Sequence, residues 1–250
     1  MLSRKASWCK VRTLGKKQAL DMQIDLITAN NPFQADDTAK MPAHQMVYEQ
    51  LRVMILFGDL APGQAVTIQG LTDGLGAGMT PVREALRRLI AEGALTHQGN
   101  RRVSVPNLSP NCVEELHFMR KTLEPELTHR AAGRMTPDLL ALLRACDEDL
   151  NTAIAQGDIG GYLTHNYRFH AAIYTAAEAP IITATVDRLW LRFGPSLRVV
   201  CGRFGTSNLP DKHRDLIAAL AHGNADAAAQ AMLEDVEQGM LQIRAALMDG

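Results

Sequence analysis

The stretch Thr80-Pro81-Val82-Arg83-Glu84-Ala85-Leu86-Arg87-Arg88-Leu89-Ile90-Ala91-Glu92-Gly93 decides how the chain is read. Val82, Ala85, Leu86, Leu89 and Ile90 fall at i, i+3, i+4, i+7 and i+8, the spacing of one apolar helix face. Arg83, Arg87 and Arg88 fall on the other side. Thr80 is placed to cap this helix, with Pro81 at its first position, where a missing N–H costs nothing. Gly93 stops it. A helix of this size fits the major groove of DNA, where an arginine can donate two hydrogen bonds to one guanine. A solvated arginine face would look the same in isolation, so the flanking segments decide.

Working outward, residues 43–57 predict a helix with Val47, Leu51, Met54 and Ile55 on one face. Gly58 ends it, and Leu60-Ala61-Pro62-Gly63 reads as a turn. Thr67 can cap a short helix over 68–75, and Gly76-Ala77-Gly78 turns the chain into the arginine-bearing helix. Two short helices joined by a tight glycine turn, the second basic, make a helix-turn-helix. Residues 95–98 and 101–105 then read as strands around Gly99-Asn100, and Pro106 closes the unit. Arg83, in the first turn, is positioned for base edges. Thr80 and the free N–H groups beside it suit a phosphate. Asn100, Arg101 and Arg102, at the hairpin tip, would reach the backbone or the minor groove.

The residues carry a family resemblance as well. Tyr48–Arg52 with Gly58-Asp59-Leu60-Ala61-Pro62-Gly63, the run of ten from Thr80, and Glu92-Gly93-Ala94-Leu95 with Gly99-Asn100-Arg101 together resemble the GntR-family winged helix over about residues 44–106. The resemblance implies DNA contacts from Thr80, Arg83, Gly99, Asn100 and Arg101. Two departures stand out. Gly78-Met79 replaces the family's usual Ser-Arg, and the arginine often found near Gln69 is absent. Lower affinity or altered specificity follows from losing those contacts.

Bulk properties fit a two-part chain. With 250 residues and 46% hydrophobic composition, two domains can each bury a core. Aromatics are scarce at 5%, and abundant Ala and Leu favour helix. Residues 1–40 carry seven Lys and Arg against four Asp and Glu, residues 41–106 six against five, and residues 107–250 thirteen against eighteen. A basic front and an acidic back suit a DNA-reading head attached to a domain that leaves DNA alone. Residues 1–40 read as a poorly ordered tail, either touching phosphates or preceding a natural start at Met41. Cys9, Cys112, Cys146 and Cys201 form no CxxC pair, which excludes a zinc finger or a dithiol redox motif and suits a reducing cytosol. No secretory signal or membrane-spanning run is legible, so the chain is expected in the cytoplasm.

From Pro110 onward the pattern is helical: 111–133, 137–156, 158–176, 180–200, 210–222 and 225–248. Short connections favour an antiparallel bundle. The expected architecture is therefore mainly α, with a winged helix-turn-helix over 41–106 and an all-helical bundle of about six helices over 107–250. The second part resembles the FadR-type C-terminal (FCD) domain of the same family, on Arg120 with Glu124, Phe169-His170 and Lys212-His213. That domain implies ligand sensing and dimerisation. Many such domains hold a divalent metal through an Asp four residues before a His, and two later His. The matching positions here read Asn166, His170, His213 and Asp235. Asn166 and His170, at i and i+4, share a helix face. Two imidazoles and a carboxylate suit zinc, manganese, nickel or iron(II). The Asp has become Asn and one His has become Asp, so the site is either compensated or metal-free. Arg120 resembles the family arginine aimed at an effector carboxylate, which a guanidinium grips in a planar, bidentate way. The alternative is an Arg120–Glu124 surface pair.

The function expected is a transcriptional regulator, binding a near-palindromic operator as a homodimer, with affinity set by a small carboxylate-bearing effector and a divalent metal. Two alternatives remain open at this stage: a bundle that only dimerises, and a metal-dependent hydrolase or lyase built on His170, His213 and Asp235. The second lacks a nucleophile elbow, a separate general base and a phosphate loop.

Overall fold

The computed structural model describes residues 41–98, 102–204 and 212–248. The expected tail, 1–40, lies outside the described residues, as do Gly99, Asn100 and Arg101 at the wing tip. The head opens with α1 (Ala43–Leu56), which buries Val47, Leu51 and Ile55. Next come β1 (Ala65–Val66) and α2 (Ile68–Leu75). Thr67 Oγ1 accepts from the Gly70 N–H at 3.0 Å, so the expected cap is present. Gly76 ends α2 at φ 63°, a left-handed conformation open to glycine at little cost.

The arginine-bearing helix, α3 (Met79–Ala91), starts two residues earlier than the sequence suggests, and Thr80 is not its cap. Gly78 holds the capping position in extended backbone, and its carbonyl accepts from the Val82 N–H at 3.3 Å. Pro81 still fits, because the first-turn N–H groups lack intrahelical partners. Val82, Ala85, Leu86 and Leu89 are buried as the periodicity requires. The hairpin forms from β2 (Thr96–Gln98) and β3 (Arg102–Ser104), with His97 opposite Val103. Strand β1 adds antiparallel to β3, Ala65 opposite Ser104, giving the order β1-β3-β2. Two residues are too few to show alternation, so β1 left no trace in the sequence pattern.

The second unit contains six helices among the described residues: α4 (Pro110–Ala132), α5 (Pro137–Gln156), α6 (Ile159–Ala176), α7 (Pro180–Phe204), α8 (Lys212–Ala221) and α9 (Ala225–Met248). Side-chain caps start several of them. Ser109, Thr136 and Asp158 accept from the Cys112, Leu139 and Gly161 N–H groups at 3.2, 3.2 and 3.0 Å. Helix α4 lies along α9, α5 along α6, and α8 along α9. Helix α7 continues four residues beyond the expected end, because Val200 and Cys201 are still buried. Residue 210, the expected start of α8, lies outside the described residues.

Helix α7 also fastens the head. It runs against α1 so closely that a Cβ on Gly194 would stand 2.5 Å from the Leu56 carbonyl oxygen. Arg198 Nη1 donates to the Phe57 carbonyl at 3.1 Å, and the Arg198 side chain lies over Gly58, whose φ is +70°. Gly194→Ala should therefore cost about 1–3 kcal/mol, because backbone cannot yield as a side-chain tip can. Gly74→Ala, in open space within α2, should instead gain up to about 1 kcal/mol from helix propensity. Urea denaturation of both variants checks the pair. Equal effects would show that α7 and α1 are not in tight contact.

Candidate functional site

Two regions carry chemistry. The first is the exposed face of α3. Arg83 and Arg87 are exposed, and neither has an ion-pair partner among the described residues. Arg88 differs. Its guanidinium lies 3.6 Å over the Tyr48 ring, Nε reaches Glu92 Oε1 at 3.0 Å, and Nη1 donates to Gln45 Oε1 at 3.0 Å. The Tyr48 hydroxyl also donates to Glu92, at 2.8 Å. Of the three arginines, Arg88 is thus engaged in holding α3 on α1, leaving Arg83 and Arg87 for an outside partner. Thr80 is exposed in the first turn of the same helix. Arg102, beside the wing tip, is exposed too.

The second region lies inside the helical unit. His170 from α6, His213 from α8 and Asp235 from α9 each bring one ligand atom to a common point, all within 4.8 Å of one another. Asn166, one turn before His170, lines the same cavity together with Arg120, Trp190 and Gln242. Both imidazoles are buried, and Asp235 is about four-fifths covered. Sequence spacing could pair Asn166 with His170 on one helix face. It could not show that α8 and α9 deliver His213 and Asp235 to that face, and they do.

The hydrogen bonds around the site orient both rings. The Tyr174 hydroxyl spends its proton on Glu124 Oε2 at 2.6 Å. Its oxygen, 3.2 Å from His170 Nδ1, is left to accept from that nitrogen. His170 Nε2 then faces Asp235 Oδ2 at 3.3 Å. His213 is fixed in the same way: Nδ1 lies 3.3 Å from Asp147 Oδ1, and its ring stacks on Phe169 at 3.9 Å with 12° between planes. Nε2 of His213 is turned toward Asp235. Two Nε2 atoms and a carboxylate thus converge, and a hydrogen-bond partner behind each ring fixes its orientation, as in metal sites whose ligating imidazoles are held by carboxylates or hydroxyls. Burial alone would raise the Asp235 carboxyl. The hydrogen bond from His170 and the charges of His170, His213 and Arg120 outweigh it and hold the group down at about 2. Asp147 and Tyr174 were not singled out in the sequence: Asp147 bears no fixed spacing to His213, whereas Tyr174, four residues after His170 on the same helix, stands at a spacing that could have found it.

Arg120 differs from the expectation in one respect. It lines the cavity, but one side of its fork is already occupied. Nε and Nη2 both donate to Glu124, the latter at 3.1 Å, and the ion pair is buried rather than on the surface. The guanidinium also lies 4.0 Å from the Phe193 ring centre. The Nε side of the guanidinium is therefore committed to Glu124, and the N–H groups of its outer edge are what remains for an effector carboxylate.

Comparison with known proteins covers both parts of the chain. Residues 43–105 match the family described as bacterial regulatory proteins, gntR family, and residues 115–238 match the FCD domain. The HTH-type transcriptional regulator McbR of Escherichia coli K12 is 29% identical over 197 residues, covering 78% of this chain and 89% of that protein. An HTH-type regulator from the TAR-I ttuE-ttuC' intergenic region of Agrobacterium vitis is 30% identical over 134 residues, 52% of this chain and 78% of its own length. The solved structure of E. coli McbR/YncC superposes with a TM-score of 0.76 at 28% identity, over 82% of this chain and 98% of that one. These relatives are regulators rather than enzymes. Among the described residues, no helix is long and apolar enough to cross a membrane. The chain belongs to the GntR family, with an FCD domain behind its winged helix-turn-helix, and is a DNA-binding transcriptional regulator.

Proposed function

We propose that the chain reads a near-palindromic operator as a homodimer in the cytoplasm, and that a divalent cation together with a small carboxylate effector sets its affinity. Each copy would place α3 in one half-site, with Arg83 at the base edges and Thr80 at a phosphate. Gly99, Asn100 and Arg101 would meet the backbone or minor groove from the wing. The observation that carries the sensing half is the convergence of His170, His213 and Asp235 from three helices, with both imidazoles oriented from behind. Asn166 stands beside them as a neutral oxygen donor. This donor set suits zinc, manganese, nickel or iron(II), and a bound cation would supply Lewis acidity toward an anionic oxygen.

Charge balance supports giving the carboxylate to the cation rather than to Arg120. Glu124 already cancels Arg120. A cation takes both imidazoles as neutral ligands, so Asp235 is the one anion set against a divalent ion, and the loaded site is net positive and attracts an anionic oxygen. Arg120, Asn166 and Gln242 then supply polar contacts around the ligand.

Three measurements test the reading. Arg83→Ala should lower affinity for a cognate duplex about tenfold while leaving a scrambled duplex nearly unchanged, since a bidentate base contact contributes roughly 1–3 kcal/mol of discrimination. Fluorescence anisotropy checks it, and undiminished discrimination rejects the base-reading role. Calorimetric titration of the protein with Zn2+ or Mn2+ should show one site per chain, which Asp235→Asn weakens severely. No binding to the natural chain would favour a bundle that only dimerises. Asp147→Ala should weaken metal binding by about 10–100-fold, since it removes an orienting partner without removing a ligand. An unchanged Kd would reduce Asp147 to a bystander.

A further inference from the structure

The cavity and the DNA-reading head share two helices. On α7, Trp190, Phe193 and Leu197 face the cavity. On the same helix Asp187, Gly194 and Arg198 face the head. On α6, Asn166 and His170 belong to the site, while Tyr167 between them turns away toward α1. The Tyr167 hydroxyl accepts from Arg52 Nη2 at 3.1 Å and donates to Asp187 Oδ1 at 3.2 Å. Arg52 belongs to α1, is almost fully buried, and lies 3.4 Å from Asp187 and 3.8 Å from Glu49. The Tyr167 ring meets Trp190 edge-on at 5.3 Å and Phe57 at 6.1 Å. Trp190 is itself 5.3 Å from the His170 ring.

The chain of contacts does not stop at Arg52. Glu49 accepts from Gln45 at 2.7 Å, and Gln45 accepts from Arg88 of the recognition helix. From His170 to Arg88 every step is a packed ring, a hydrogen bond or an ion contact. A buried guanidinium is held in place only while its partners are. Its position therefore depends on where α6 and α7 put Tyr167 and Asp187.

We infer that Tyr167 is the positioning residue that transmits the state of the cavity to the reading head, through Arg52. Its hydroxyl joins three elements, α1, α6 and α7, two of which also form the walls of the site. A ligand that draws His170 and Asn166 inward moves the backbone on which Tyr167 stands. The ion pair then has to follow or to loosen, and α1, with α3 fastened to it through Arg88 and Tyr48, is reoriented. The inference builds on the proposed cation site, but the Tyr167 clamp can be tested apart from it.

The test is amide hydrogen exchange on the full chain, comparing the natural protein with Tyr167→Phe, each with and without saturating Zn2+. Phenylalanine keeps the ring contacts with Trp190 and Phe57 and removes only the hydroxyl. Without metal, Tyr167→Phe should speed exchange over residues 43–57 about fivefold or more, a typical coupling magnitude, and leave 225–248 within twofold. With Zn2+, the natural chain should change its exchange over 43–57, and the variant should bind Zn2+ with an unchanged Kd yet show little change there. Equal metal-free rates in the two proteins overturn the clamp. A Zn2+ response over 43–57 that survives the variant overturns transmission through Tyr167, and so does Zn2+ binding that leaves 43–57 of the natural chain unchanged. If Zn2+ does not bind the natural chain, the cation site fails while the metal-free comparison still decides the clamp. Asp187→Asn, nearly the same size, should reproduce the metal-free effect, and its failure to do so counts against the clamp.

Discussion

The guanidinium of Arg52 is the group on which the arrangement of the molecule turns. It lies in the seam between head and sensor, where water cannot solvate it, and a charge taken out of water must be paid for by partners close at hand. Glu49 comes from its own helix, Asp187 and Tyr167 from the sensor. No single element could stabilise it. The charge is tolerated only when α1, α6 and α7 meet in one relative placement, so it acts as a specificity device for the domain interface as much as a source of stability. Gly194 makes the same demand in apolar terms, because only a missing side chain lets α7 pass so near the Leu56 carbonyl.

That constraint gives α7 a double duty. One face must fit the head, and the other must wall the cavity with Trp190 and Phe193. A close-packed helix is stiff, and displacement on one side is felt on the other. Regulation by a ligand needs only that the ligand bind one placement of these helices better than another. The site is suited to that role because its donors come from α6, α8 and α9 rather than from one segment, so filling it bears on how those helices pack. Behind the donors, Glu124, Tyr174 and Asp147 leave the imidazoles little freedom of orientation.

Much of the head was legible in advance for a local reason. The apolar spacing from Val82 to Ile90, the Thr67 cap and the Gly76 break are all decided within a few residues, and the structure reproduces them. The errors were local too. Gly78 holds the capping position expected of Thr80, in extended backbone and with no side-chain cap hydrogen bond, because the helix begins at Met79. Strand β1 exists only because β3 offers it an edge. In the sensor the order of helices was readable, and the structure brings together His170, His213 and Asp235, which family likeness marks out. Of the partners that orient them, Asp147 meets His213 across a helix contact with no fixed sequence spacing, while Tyr174 sits one turn after His170, a spacing that many unrelated residues share. The Arg120–Glu124 pair, open in the sequence as an alternative because Glu124 is one turn away, does form, but buried at the cavity rather than on the surface.

The sequence by itself determined which helices form and in what order, their ends to within a few residues, which faces are apolar, and that an arginine-bearing helix follows a tight glycine turn. These are matters of periodicity and backbone freedom, settled between neighbours in the chain. Only the tertiary structure decided which charges are free. Arg88 is bound to Tyr48 and Glu92, Arg120 to Glu124 and Arg52 to Asp187, while Arg83 and Arg87 are left exposed. The physical reason is that an ionic partner is chosen by distance and burial in space, and neither quantity is written in the order of residues.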